Sequence, residues 1–282
     1  MKWIGRLLFS AIAVYAAMLG LLFVKQRELM YPRNPVRAET AGVDLPALEE
    51  TTLTAADGER LIAWIVPPRA GRPVLLFFHG NAGNFARPVQ QARFKALTED
   101  GTGLFAVNYR GYGGSTGTPT EAGLHLDARA AYGAAVARFG ASTLIGYGES
   151  LGTGVVLKLA SEVPLVAVVL EAPYLSTVAV AQGVYPFVPI SFLMQDQFRS
   201  DAVISQVRTP LLVLHGERDR VISFAQGQAL YGLANPPKRF VRFPSGDHEN
   251  LPSHGSVPEI RRFLAQVADG TLQGSDAVTI GP

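Results

Sequence analysis

A chain of 282 residues leaves room for one large domain or two small ones. With 48% hydrophobic and 17% charged residues, 29 glycines and 19 prolines without a period, and no cysteine, it excludes a disordered chain, a coiled coil, collagen, disulfides, Cys-ligated zinc, iron–sulfur clusters and a Cys nucleophile. The net charge of +2 is uneven: residues 1–37 carry six basic residues against one acidic, and the mildly acidic remainder has no basic block, which removes the electrostatic case for nucleic-acid binding.

The first predicted element is apolar. Leu7 to Val24 is a run of 18 residues without a charge. As a helix it measures ~27 Å, close to the hydrocarbon thickness of a bilayer. It is apolar all round, unlike a helix with one buried face. A cleaved signal peptide would end at small residues, and Tyr15-Ala16-Ala17 offers such a site, but the run continues for seven residues beyond it. The reading adopted is a single-pass membrane anchor over 1–30, with the cleaved signal as the alternative. Lys2 and Arg6 before the span nearly balance Lys25, Arg27, Arg33 and Arg37 after it, so sidedness stays open.

Pro32, Asn34 and Pro35 end the anchor, and a single domain is expected over 31–269. Thr51–Thr54 and Arg60–Ile65 read as strands about the turn Ala56-Asp57-Gly58. Val74–Phe78 is a continuous apolar run, as expected of a central strand covered on both faces. Helices follow at 85–98, 121–139, 151–162, 225–233 and 257–267, alternating with strands at 103–108, 143–147, 165–170, 211–215 and 240–243. This order predicts an α/β fold with a mostly parallel sheet and helices on both faces. Residues 173–206 break the alternation and carry Pro186 and Pro189 in an apolar run, so they read as a cap-like insertion or as a plain packed connection. Residues 270–282, polar and Gly-rich, read as a flexible tail.

The chemistry sits at the strand ends. Gly148-Glu149-Ser150-Leu151-Gly152 is G-x-S-x-G between a predicted strand and a predicted helix. Such a turn presents the serine on strained backbone, needs small residues at both flanks, and faces a helix N-terminus that favours developing negative charge. Ser150 is therefore the candidate nucleophile. Neither Gly146-x-Gly148 nor Gly111-x-Gly113 completes a dinucleotide fingerprint, and no P-loop follows either. Nothing calls for a cofactor or a metal.

A serine needs a base, and the base needs an orienting acid. Behind such an elbow the acid and then the histidine come later in the chain. That leaves His248 and His254, and His248 is preferred because its Pro-Ser-Gly-Asp-His loop starts near the end of the last strand. For the acid, Asp219 is preferred over Glu217, being further from its strand, and over Asp247, which is adjacent to His248. The oxyanion hole is expected from the backbone amides of Leu151, after the nucleophile, and Asn81, in the His79–Asn84 loop. His79 is expected to hold that loop.

Ser150 in its elbow, Asp219, His248 and His79-Gly80-Asn81 resemble the α/β-hydrolase superfamily. Asn108-Tyr109-Arg110-Gly111-Tyr112-Gly113-Gly114-Ser115 with Gly117-Thr118-Pro119-Thr120-Glu121 resembles, within it, an N-terminally membrane-anchored subfamily. That subfamily includes the fungal bud-emergence-type hydrolases and mammalian protein depalmitoylases. The resemblance spans about residues 30–265 and implies an α/β-hydrolase fold. The Cys-rich, acylated N-terminus of the mammalian enzymes is absent here, so neither their anchoring mode nor their substrate carries over. The expectation is a membrane-anchored serine hydrolase acting on a small-molecule or acyl substrate, an ester or thioester. The apolar Val184–Met194 points toward acyl-chain or lysolipid substrates. A serine peptidase on short peptides and a non-catalytic, membrane-bound binding protein are the alternatives.

Overall fold

The computed structural model describes residues 2–281, so Met1 of the expected anchor and Pro282 of the expected tail lie outside the described residues. The described chain runs α1 (Lys2–Met30), β1 (Glu49–Thr54), β2 (Arg60–Val66), β3 (Val74–Phe78), α2 (Pro88–Thr98), β4 (Gly103–Val107), α3 (Glu121–Phe139), β5 (Leu144–Glu149), α4 (Leu151–Ala160) and β6 (Ala167–Glu171). Three short helices follow, α5 (Thr177–Val184), α6 (Ile190–Leu193) and α7 (Ser200–Val203). The chain then continues through β7 (Leu211–Gly216), α8 (Phe224–Leu233), β8 (Lys238–Phe243), α9 (Ser256–Ala268) and β9 (Ser275–Thr279).

One sheet holds the strands in the order β1-β2-β4-β3-β5-β6-β7-β8-β9. The pairs β1–β2 and β2–β4 are antiparallel and the rest are parallel. The result is a mostly parallel sheet with helices flanking both faces, as the order of elements predicts. One face is covered by α3, α4 and α8, through residues such as Leu124, Ala128, Val155 and Leu230. The other is covered by α2 and α9, through Phe94, Leu97, Ile260 and Phe263. The central strands β3, β4, β6 and β7 are buried along their whole length, which is why they read as unbroken apolar runs.

This topology places the site. The chain leaves β3 to one side for β4, then crosses back to β5 on the other side, so the strand order reverses beside β3. Ligands of open α/β sheets bind outside the carboxyl ends of strands at such a switch. Phe78 stands opposite Gly148 in the β3–β5 register, so the loop after β3 and the turn after β5 begin at the same level.

One expectation changes. The flexible tail expected over 270–282 holds a strand in its described part: Ser275–Thr279 extends the sheet beside β8, and the Ile280 amide donates to the Arg242 carbonyl at 3.0 Å. Its side chains are mostly exposed, so the strand rests on backbone pairing, on the Tyr231 hydroxyl, which donates to the Asp276 carbonyl at 2.8 Å, on the Arg239–Asp276 pair at 3.1 Å, and on Leu272 and Ile280, which pack against the core on either side of it. A strand held that way leaves no apolar periodicity to read. The segment after α1 packs directly on the domain. Tyr31 is buried, and the carbonyls of Asn34 and Val36 accept from the Asn84 side chain at 2.9 and 3.0 Å.

Candidate active site

Ser150 occupies the turn between β5 and α4 with φ 51° and ψ −118°, a left-handed conformation that costs a non-glycine residue about 1–3 kcal/mol. Close packing holds it there. A Cβ on Gly152 would run into the Phe78 carbonyl, and one on Gly148 into the backbone of Gly152 and Thr153. The Ser150 amide donates to the Glu171 carbonyl at 2.9 Å, tying the turn to β6.

The structure brings Ser150, His248 and Asp219 together from three strand ends. The Ser150 hydroxyl lies 3.0 Å from His248 Nε2, and His248 Nδ1 lies 2.8 Å from Asp219 Oδ2. This geometry fits the tautomer in which Nδ1–H donates to Asp219 and Nε2 accepts from Ser150. Asp219 Oδ1 accepts the amides of Val221 and Ile222, each at 2.8 Å. Burial alone would raise the Asp219 carboxyl, but bonds from His215 and His248, the His248 charge and the Ile222 amide hold it well below the usual range. Burial would lower the His248 imidazole. The Asp219 bond and charge outweigh it, with Glu149 and Glu249 adding to them, and the group is raised above its ordinary 6.5.

The other candidates do local work. Asp247 accepts the amides of Glu249 and Asn250 at 3.1 and 3.0 Å and so shapes the His248 loop. Glu217 pairs with Arg242. His254 ends a short helical turn beyond the site. Ser115 is buried, donates to the Asn108 carbonyl at 2.8 Å and accepts the Ile62 amide at 2.9 Å, so it closes its own turn.

Asn81 and Leu151 both face the cavity that Ser150 faces. The Leu151 amide opens α4 and has no intrahelical partner. The Asn81 amide has no acceptor among the described residues. Its direction is set by its peptide neighbour. The Gly80 carbonyl accepts from the Gly83 amide at 2.9 Å and meets His79 Nδ1 at 2.7 Å, and in a trans peptide the next N–H points the opposite way. Tyr109 and Tyr112 pin the flanking carbonyls, Tyr109 donating to His79 at 3.0 Å and Tyr112 to Asn81 at 2.7 Å. His79 is fully buried, and burial pushes its imidazole down to about 4, against the Gly80 carbonyl that raises it. It is therefore neutral at pH 7 and holds the loop without adding charge.

Sequence reasoning missed the support behind the elbow. Arg93, on α2, lies 2.6 Å from Glu171 and 3.3 Å from Glu149, and donates to the Glu249 carbonyl at 3.2 Å. Tyr147 donates to the same Glu171 carboxylate. Burial and the neighbouring Glu171 raise the Glu149 carboxyl against the pull of Arg93. One guanidinium thus touches the elbow, the strand that ties it down and the His248 loop. Its only signal was a carboxylate at the variable second position of G-x-S-x-G. His215, at the end of β7, is a second histidine on the acid: its Nε2 lies 3.4 Å from Asp219 Oδ2, the same oxygen that His248 meets.

A family model described as the alpha/beta hydrolase fold matches residues 73–177, from β3 through the elbow. An uncharacterized protein of Mycobacterium tuberculosis is 33% identical over 262 residues, covering 90% of this chain and 92% of that protein. Human protein ABHD12B is 36% identical over 225 residues, covering 70% of this chain and 62% of ABHD12B. Among solved structures, a Pyrococcus furiosus esterase superposes with a TM-score of 0.68 at 18% identity, over 84% of this chain and 97% of the esterase, a likeness of fold.

Proposed function

The chain belongs to the α/β-hydrolase superfamily, and from that premise we propose that it is a membrane-anchored serine hydrolase of carboxylic ester or thioester bonds. The observation that carries this reading is the bond series from Ser150 through His248 to Asp219, opening on an apolar cavity. Ser150 attacks the acyl carbon while His248 takes its proton at Nε2, and Asp219 stabilises the imidazolium. The oxyanion is received by the amides of Asn81 and Leu151, each such donor being worth about 10²–10³ in rate. His248 returns the proton to the leaving alcohol or thiol. Water, activated by the same imidazole, then releases the acid from Ser150.

Two observations support the anchor. The 29-residue α1 is long and apolar enough to cross a membrane, and none of its described residues is fully buried in the protein. Phe187 and Phe192, between α5 and α6 and on α6, are 88% and 90% exposed, an apolar surface suited to lipid rather than water. The Asn108–Ser115 run and this helix support kinship with the anchored bud-emergence-type hydrolases.

A fluorophosphonate probe should label the wild-type chain and not Ser150→Ala. A panel of p-nitrophenyl esters, run beside aminoacyl anilides, should show ester turnover well above anilide turnover. A chain that neither takes the probe nor turns over any substrate would be a binding protein, and anilide preference would leave a peptidase.

A further inference from the structure

We propose that α1 is one wall of the acyl-binding cavity, so that the membrane helix selects the substrate's acyl chain: a single aliphatic chain of about ten carbons. This rests on the catalytic reading above. The cavity beginning at Ser150 has a volume of about 250 Å³. From α1 it is lined by Leu22, Phe23, Leu29 and Met30, and from the facing cap helices by Val180 and Leu193. An apolar cavity of about 150 Å³ holds one benzene ring, and by proportion this one holds a chain of about ten carbons.

The helix is seated firmly enough to act as a wall. Arg27 grips the buried Asp196 with two bonds, of 2.9 and 3.2 Å. The Gln26 side chain donates to the Leu193 carbonyl at 3.2 Å and accepts the Gln195 amide at 2.8 Å. One turn further on, Tyr31 is buried in the domain core, so no flexible tether separates helix from domain. A helix that served only as a tether would need none of these contacts.

The wall chemistry narrows the ligand. Gln26 and Thr177 are among the polar side chains facing the cavity, and both are committed to backbone partners, Thr177 donating to the Asp196 carbonyl at 2.8 Å. Apart from the Tyr185 hydroxyl, the lining away from Ser150 and Asn81 therefore matches methylene groups rather than a charged or hydroxylated acyl group. Each methylene buried should raise kcat/KM about fourfold while room remains.

The test uses the full chain in detergent micelles and p-nitrophenyl acetate, hexanoate, decanoate and palmitate. Wild type should peak near decanoate. Leu22→Trp should move the peak toward hexanoate and Leu22→Ala toward palmitate. Val24→Trp, on an exposed position outside the cavity lining, should leave the profile unchanged. Labelling rates with fluorophosphonates of rising alkyl length should follow the same order, which a merely structural change would not produce. If both Leu22 variants fold, hydrolyse acetate and keep the wild-type peak, the wall is refuted and the catalytic reading stands. A wild-type chain inert to every ester and probe overturns both.

Discussion

Arg93 and Glu171 meet at 2.6 Å behind Ser150, with side chains 3% and 0% exposed. Taking two charges out of water is costly, and breaking such a pair from one side leaves an uncompensated charge. Arg93→Met should therefore destabilise the fold by about 3–5 kcal/mol, read as a fall in melting temperature by circular dichroism. Removing the partner as well, in Arg93→Met/Glu171→Met, should recover part of the loss. A single variant as stable as wild type would show that the guanidinium does not hold this corner.

For the chemical step, Ser150→Ala should fold normally and lose about 10⁶ in turnover, and His248→Ala should lose a similar factor. The double variant should be no slower than either single one, because the hydroxyl and the imidazole act as a unit. Additive losses would mean that Ser150 and His248 work separately.

The pH profile follows from the imidazole. Protonated His248 cannot accept the Ser150 proton, so kcat/KM should rise with pH through a midpoint above 6.5 and then level off. Asp219→Asn removes the bond and charge that raise the imidazole, so the midpoint should shift down while the plateau falls about 10⁴-fold. Initial rates of ester hydrolysis in a pH-stat decide it, and a midpoint that stays in place in the variant would contradict the pairing.

Tyr112→Phe deletes only the hydroxyl that pins the Asn81 carbonyl. A neutral bond of this kind contributes about 0.5–1.5 kcal/mol. If the loop must be held for the Asn81 amide to meet the oxyanion, kcat should fall between about twofold and tenfold with KM little changed. A rise in KM alone would assign the loop to binding.

Membrane attachment can be read by fractionation. The full chain should remain with membranes through a carbonate wash. A chain beginning at Lys25, which keeps Arg27, Tyr31 and the Asn34–Val36 contacts, should appear in the soluble fraction. Recovery of a mature protein beginning after Ala17 would instead favour a cleaved signal.

Much of the fold was legible because its central strands are buried on both faces. Val74–Phe78 reads as a strand to the residue, and Glu121–Phe139 as a helix, capped by the Thr120 hydroxyl on the Gly123 amide. The elbow was legible because steric demands leave glycines at fixed offsets from Ser150. What the sequence hid was held by backbone or by charge. The strand β9 has no apolar face, and Arg93, Glu149 and Glu171 read like any solvated ions until the fold buries them. The structural role of Ser115 leaves no local signal, because its two bonds join residues 53 and 7 positions away. The helix α1 declared its length and apolarity, but not that its last turns face Ser150.

The Phe78–Gly148 register has a further consequence, for how such a protein can change. A strand advances about 3.3 Å per residue. One residue added to or lost from β3 or β5 would slide the Asn81 amide past Ser150 by that distance. A misplacement of about 1 Å can already cost 10²-fold in rate. Descendants of this chain are therefore free to lengthen the loops around α5 and α6 and to exchange residues lining the cavity beside Ser150, while the residue count along these two strands stays invariant in any that keep the chemistry. Length variation among homologues should accordingly avoid residues 74–78 and 144–149.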